Sequence, residues 1–151
     1  MTDPTSTATC AICDVAARVD ADVVHRTSLF TVAPATVKVP GWFLLWTNRH
    51  DAAGLWDVSD AEAEEFGRLV RDLSRAARAC TDAERTYVIT FGEHALHFHA
   101  MVLARTRDMP PASRGPALLS RGPDFADEER AAAVAAQVRE LLGRTRGQRG
   151  S

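Results

Sequence analysis

Polar and apolar positions alternate from His97 to Ala100 inside an apolar run. On a β-strand, His97, His99 and Met101 would share one face and Phe98, Ala100 and Val102 the other. The apolar run around them predicts a strand over 95–104. Two further runs rich in Val, Phe, Leu, Thr and Trp predict strands over 23–32 and 37–46, with Pro40-Gly41 as a turn or bulge inside the second. Residues 85–91 predict another strand, followed by a turn at Gly92-Glu93. A different period governs 59–80. Phe66, Leu69, Val70, Leu73, Ala76, Ala77 and Cys80 recur at spacings of three and four, which makes one apolar stripe on a helix. Ser59-Asp60-Ala61-Glu62 is a capping box that would start that helix. A short helix is expected over 11–19 and an Ala-rich one over 124–142, with a fraying Arg/Gly end beyond it. Residues 1–9 are expected to be disordered and 51–57 to form a loop. The four prolines within 105–123 indicate an ordered loop or a flexible tail. Antiparallel strands with segregated helices make an α+β domain.

Composition narrows the setting more than the function. A chain of 151 residues, 46% apolar and 25% charged, can bury one core but not two. The net charge of −2 supplies no basic field, so neither nucleic acid nor a membrane surface is an expected partner. No run of 18 apolar residues occurs, and the polar first nine residues have no signal-peptide pattern, so a cytoplasmic protein is expected. The three cysteines are an odd count with only one close pair, Cys10 and Cys13. In a reducing compartment such a pair favours metal or redox chemistry over a structural disulfide.

The candidate chemistry lies in separated pieces. Cys10-Ala11-Ile12-Cys13 offers two thiolates, and His97-Phe98-His99 offers two imidazoles about 7 Å apart on one strand face, with His50 between them in sequence. Two polar rings on one face of an apolar strand need partners. Two thiolates and two imidazoles form a tetrahedral set suited to Zn²⁺, although the gaps exceed those of a zinc finger, so the ligands would have to meet through the fold. A thioredoxin-type redox pair is the weaker alternative, because no suitable strand precedes Cys10. Cys80 is expected to close the helix core and His25 to sit on a strand surface. Trp42, Trp46 and Trp56 are expected as core or dimer contacts, unless one stacks on a base.

Over residues 10–105 the chain resembles the histidine-triad (HIT-like) superfamily of nucleotide hydrolases and transferases. The resemblance is carried by the CxxC, by Pro40-Gly41-Trp42 through Arg49-His50, by the Asp57-Val58-Ser59 helix start, and by His97-x-His99-x-Met101-x-x-Ala104-Arg105. The family pattern at the last of these is His-x-His-x-His-x-x-Pro-Arg. The resemblance implies a HIT-like antiparallel sheet with a long helix and a C-terminal helix. Residues 106–151 would form a C-terminal extension with a Pro-rich loop and a helix. It also implies a homodimer, and a small-molecule, nucleotide-like substrate attacked at phosphorus by His99 through a covalent nucleotidyl-histidine. In CxxC-bearing relatives zinc is held by residues that map to Cys10, Cys13, His50 and His97, which leaves His99 free for chemistry.

The departures weaken the nucleotide reading. Met101 stands where a phosphate-binding histidine is usual, and a thioether donates no hydrogen bond. Trp42 replaces a histidine, Thr47-Asn48 replaces Pro-Lys, and no acid occurs between Asp22 and Asp51 to grip ribose hydroxyls. Glu93 would repel phosphate. His94, Arg105 and Met101 are the candidate substrate-binding residues, Arg105 with a surface ion pair as its alternative, and Arg114 and Arg121 are candidate closing cations. The alternatives to a nucleotidyl hydrolase or transferase are a zinc-stabilised binding protein that has lost catalysis and a relative repurposed for a non-nucleotide substrate.

Overall fold

A computed structural model describes residues 10–149 of the chain. The disorder expected over 1–9 lies outside the described residues. Five described strands form one antiparallel sheet: β1 (His25–Arg26), β2 (Phe30–Pro34), β3 (Trp42–Thr47), β4 (Ala83–Ile89) and β5 (His99–Thr106), in the order β1-β2-β3-β5-β4. Helix α1 (Ala11–Arg18) precedes them, α2 (Asp60–Thr81) links β3 to β4, and α3 (Ala117–Ser120) and α4 (Glu128–Arg149) follow. No helix among the described residues is long and apolar enough to cross a membrane.

The alternation along β5 sorts the two faces of the sheet. Phe98, Ala100, Val102 and Ala104 enter the main core with Phe30, Val32, Phe43 and Leu45. Helix α2 lays its apolar stripe on them: Leu69, Leu73, Ala76 and Ala77 are buried, with Phe66, Val70 and Cys80 at the margin. Helix α4 adds Val134, Ala135, Val138 and Leu142 to the same core. The other face splits in two. Helix α1 covers Leu44 and Trp46 with Cys10 and Ile12, while Met109 and Leu118 from the segment after β5 cover Trp42 and Leu103. Met101 packs against both groups.

Several boundaries differ from those the pattern predicts. The run 23–32 is a hairpin rather than one strand, because Thr27 turns the chain. Its hydroxyl oxygen accepts the Leu29 and Phe30 amides at 3.1 and 3.0 Å, and its own amide donates to the Phe30 carbonyl. The strand expected over 37–46 begins only at Trp42, because Gly41 turns at φ 83°. A Cβ at Gly41 would lie 2.7 Å from the Ala104 side chain. The Pro-rich stretch after β5 is ordered into short helical turns. Helix α4 starts at Glu128, where the Asp127 carboxylate caps the Arg130 amide at 2.9 Å, and continues past Leu142 to Arg149 rather than fraying there.

The capping box at α2 forms as expected, and its acid has a second partner. Ser59 Oγ accepts the Glu62 amide, and Glu62 accepts the Ser59 amide at 2.8 Å. The same buried carboxylate takes a two-pronged bond from Arg49, 2.7 Å from Nε and 2.9 Å from Nη2. Arg49 also binds Asp51 and the Asp57 carbonyl, so one guanidinium gathers the whole 49–62 connection.

Arg49, before the other contacts, holds the Glu62 carboxyl below its ordinary 4.5. A carboxyl depressed in the fold contributes stability that is present above its unfolded value and is lost as pH falls through the folded one. Glu62→Gln, which keeps a capping acceptor but removes the charge that Arg49 grips, should therefore destabilise the protein by about 1.5–3 kcal/mol in urea at pH 7. The gap between variant and wild type should close below about pH 4. An equal gap at pH 3 and pH 7 would contradict the ion-pair account.

Candidate metal centre and histidine pair

Four ligand-type side chains converge at the end of β3. Cys10 occupies the N-cap position of α1 and Cys13 lies three residues on, so one helical turn presents both sulfurs to one side. His50 follows β3 in the connection gathered by Arg49, and His97 lies just ahead of β5. Their ligand atoms all lie within 4.8 Å of one another. Cys10 Sγ is 3.7 Å from His97 Nδ1, Cys13 Sγ is 3.6 Å from the same nitrogen, and Cys13 Sγ is 3.3 Å from His50 Nδ1. A tetrahedral zinc with bonds of about 2.3 Å to sulfur and 2.0 Å to nitrogen spaces its ligands by roughly 3.3–3.8 Å. Three of the sulfur–nitrogen pairs already stand at those separations, and all four ligand atoms lie within 4.8 Å of one another.

The hydrogen bonds around the histidines fix which nitrogen does what. His97 Nε2 lies 2.7 Å from the Thr47 carbonyl, which can only accept, so Nε2 carries the hydrogen. The lone pair is then on Nδ1, facing the sulfurs, with a backbone carbonyl behind the ring as ligating histidines commonly have. Burial pushes the His97 imidazole below its ordinary value, which keeps it in the neutral, ligating form. Burial, and then the hydrogen bond and charge of Cys10, push the Cys13 thiol up to about 11. A cation held here would reverse that preference, since the thiolate is the metal ligand.

His99 lies on β5 itself, opposite Trp46 of β3. Its Nδ1 is 2.8 Å from the His97 carbonyl, so Nδ1 carries the hydrogen and Nε2 the lone pair. The ring is half-buried. The sequence pattern places His97 and His99 on one strand, but the strand begins at His99. His97 is held by a different device: the neighbouring Phe98 amide donates to the Ala52 carbonyl at 2.6 Å.

Solved structures share this arrangement of sheet and helices. A HIT-like protein involved in cell-cycle regulation from Bartonella henselae matches at TM-score 0.67 and 14% identity, over 93% of this chain and 98% of that one. The chain has the histidine-triad fold. A zinc-bound histidine triad family protein from Mycobacterium smegmatis matches at TM-score 0.66 and 15% identity, over 93% of this chain and 99% of that one. A histidine triad protein from Marinobacter aquaeolei VT8 gives 0.67 and 20%, over 85% and 94%. No protein-family model and no curated protein matches the sequence.

On this histidine-triad frame the other candidates fall in different places. Met101 is half-buried beside His99, between Leu44 of β3 and Ile89 of β4. His94 and Glu93 are exposed in the connection before His97. Arg105 is not brought to the histidines. It lies six residues along β5 from His99, about 20 Å at strand spacing. It is buried, and Nη2 donates to Glu84 on β4 at 2.6 Å. The phosphate role expected of Arg105 therefore gives way to a cross-strand ion pair. Arg121 pairs with Asp124 and stacks over Phe125, and Arg114 is exposed. Trp42 and Trp46 are core residues, whereas Trp56 is 82% exposed over Gly54. Sequence reading passed over Arg49 and Ala52. The capping acid Glu62 was visible, but a backbone acceptor such as Ala52 leaves no mark in sequence.

Arg105→Met should destabilise the protein by about 1–3 kcal/mol, because Glu84 loses a charged partner, and should leave metal content unchanged. Urea melts and elemental analysis of the variant check both. Unchanged stability with lost substrate binding would return Arg105 to the phosphate role.

Proposed function

We propose that the chain is a nucleotidyl hydrolase or transferase in which His99 is the nucleophile and Cys10, Cys13, His50 and His97 hold a structural zinc. The observation that carries the reading is the 2.8 Å contact between His99 Nδ1 and the His97 carbonyl. It places the hydrogen on Nδ1 and leaves a lone pair on Nε2 of a half-buried ring, which is the form that attacks phosphorus.

The residues define a two-step displacement. The Nε2 lone pair of His99 forms a bond to phosphorus of a nucleoside phosphate ester, anhydride or phosphoramidate. The phosphorus–leaving-group bond breaks, and its electron pair departs with the leaving group, which takes a proton from solvent. The ring then carries positive charge, which the His97 carbonyl stabilises through Nδ1–H. Water, or another acceptor, attacks the phosphorus, loses a proton, and returns the nitrogen–phosphorus electron pair to Nε2. Four protein ligands would close the coordination of a bound zinc, so its contribution is to hold the ligand-bearing segments together. Met101 offers no donor to the phosphoryl oxygens, and no acid occurs between Asp22 and Asp51 to grip ribose. Both predict slow turnover and weak binding of AMP and GMP.

Three measurements on one preparation test this. Elemental analysis should find about one zinc per chain, with a lower melting temperature after chelation. Mass spectrometry after incubation with nucleoside phosphoramidates and dinucleoside polyphosphates should show a nucleotidyl adduct on His99. His99→Ala should lose more than about 10³-fold in rate with zinc retained, while Met101→His should raise turnover. A wild type as inert as His99→Ala across the panel would favour the binding-protein reading. Equal activity of the two would place the chemistry elsewhere.

A further inference from the structure

Thr47 joins the segments that carry His50, His97 and His99, and it is fully buried. As the last residue of β3 it presents three groups. Its carbonyl accepts from His97 Nε2 at 2.7 Å. Its amide donates to the Phe98 carbonyl at 3.2 Å, continuing the ladder one step beyond the Trp46–His99 pair. Its hydroxyl lies 3.0 Å from the Arg49 carbonyl, next to His50, and 3.4 Å from the Phe98 carbonyl. One residue thus ties the chain entering His50 to the peptide units between His97 and His99.

We propose that Thr47 is a positioning residue that couples the metal centre to the nucleophile, so that an ion bound at the four ligands also fixes the tautomer of His99. Thr47 turns the His97 ring so that Nδ1 faces the sulfurs. A ligated ring holds its own backbone still, and it is the His97 carbonyl that receives His99 Nδ1–H. Without the ion the Thr47 carbonyl alone holds the His97 ring, the His97 carbonyl is fixed less firmly, and His99 samples both neutral tautomers. The hydroxyl matters because it spans the two ligand-bearing segments. Proline at this position would supply neither the hydroxyl nor the amide hydrogen.

This inference rests on the metal reading of the preceding section, and the test separates the two. Zinc affinity is measured by competition with a chromophoric chelator for wild type, Thr47→Val and Thr47→Ser. Valine keeps the shape and amide but removes the hydroxyl, and should weaken zinc binding about 10-fold or more. Serine restores the hydroxyl and should bind within about threefold of wild type. The second readout uses the wild type alone. With ¹⁵N-labelled histidine, His99 should show a single Nδ1–H form in the zinc-loaded protein and an averaged pair of nitrogen shifts after chelation. A Thr47→Val variant binding zinc as tightly as wild type, or a His99 signal unmoved by chelation of folded protein, overturns the role of Thr47 while leaving the metal site standing. A wild type that binds no zinc overturns the metal reading and this inference with it.

Discussion

The contact on which the site depends is the fork between Arg49 and Glu62. A buried carboxylate needs a partner, and this one has a guanidinium on one side and a helix N-terminus on the other. The two demands are met together only if the chain leaving β3 folds back against the first turn of α2. That path carries His50 toward the cysteines and lays Ala52 against Phe98. The position of one metal-type ligand therefore follows from satisfying an acid that is not itself a ligand.

A second constraint comes from the pleat of β5. Its two-residue period cannot serve the core with Phe98, Ala100 and Val102 without turning His99 and Met101 to the opposite face. That face is closed at its ends by α1 and by the segment after β5, with Met101 touching both. Met101 thus stands where the two coverings meet, and the half-buried His99 lies beside it, on an element whose other side is packed. Rigidity of the strand and partial access to His99 arise from the same alternation.

Much of this was legible in the residues. The stripe from Phe66 to Cys80 and the capping box give α2, because both depend on fixed spacings in a single helix. The cysteine pair, His50 and His97 were readable as a set only because the resemblance supplied their meeting point. Nothing in the 37- and 84-residue separations of Cys13 from His50 and His97 predicts contact. What stayed hidden was carried by backbone groups and by tertiary pairing. Thr27 ends a run that looks like continuous strand, because its hydroxyl caps the turn. Arg105 reads as a free cation until Glu84 of the neighbouring strand is seen beside it. Helix α4 runs on past Leu142 to Arg149, since helical hydrogen bonding between backbone groups needs no apolar stripe.

The distance along the chain between the ligands has a topological consequence. Cys10 and His97 are 87 residues apart in sequence, yet their side chains meet. An ion bridging them would close a covalent-like ring around α1, β1, β2, β3, α2 and β4. Judged as a cross-link, a ring of that size removes denatured-state entropy worth on the order of 4–5 kcal/mol. Binding at this corner would thus act on everything between Cys10 and His97 as a disulfide does, without requiring an oxidising compartment.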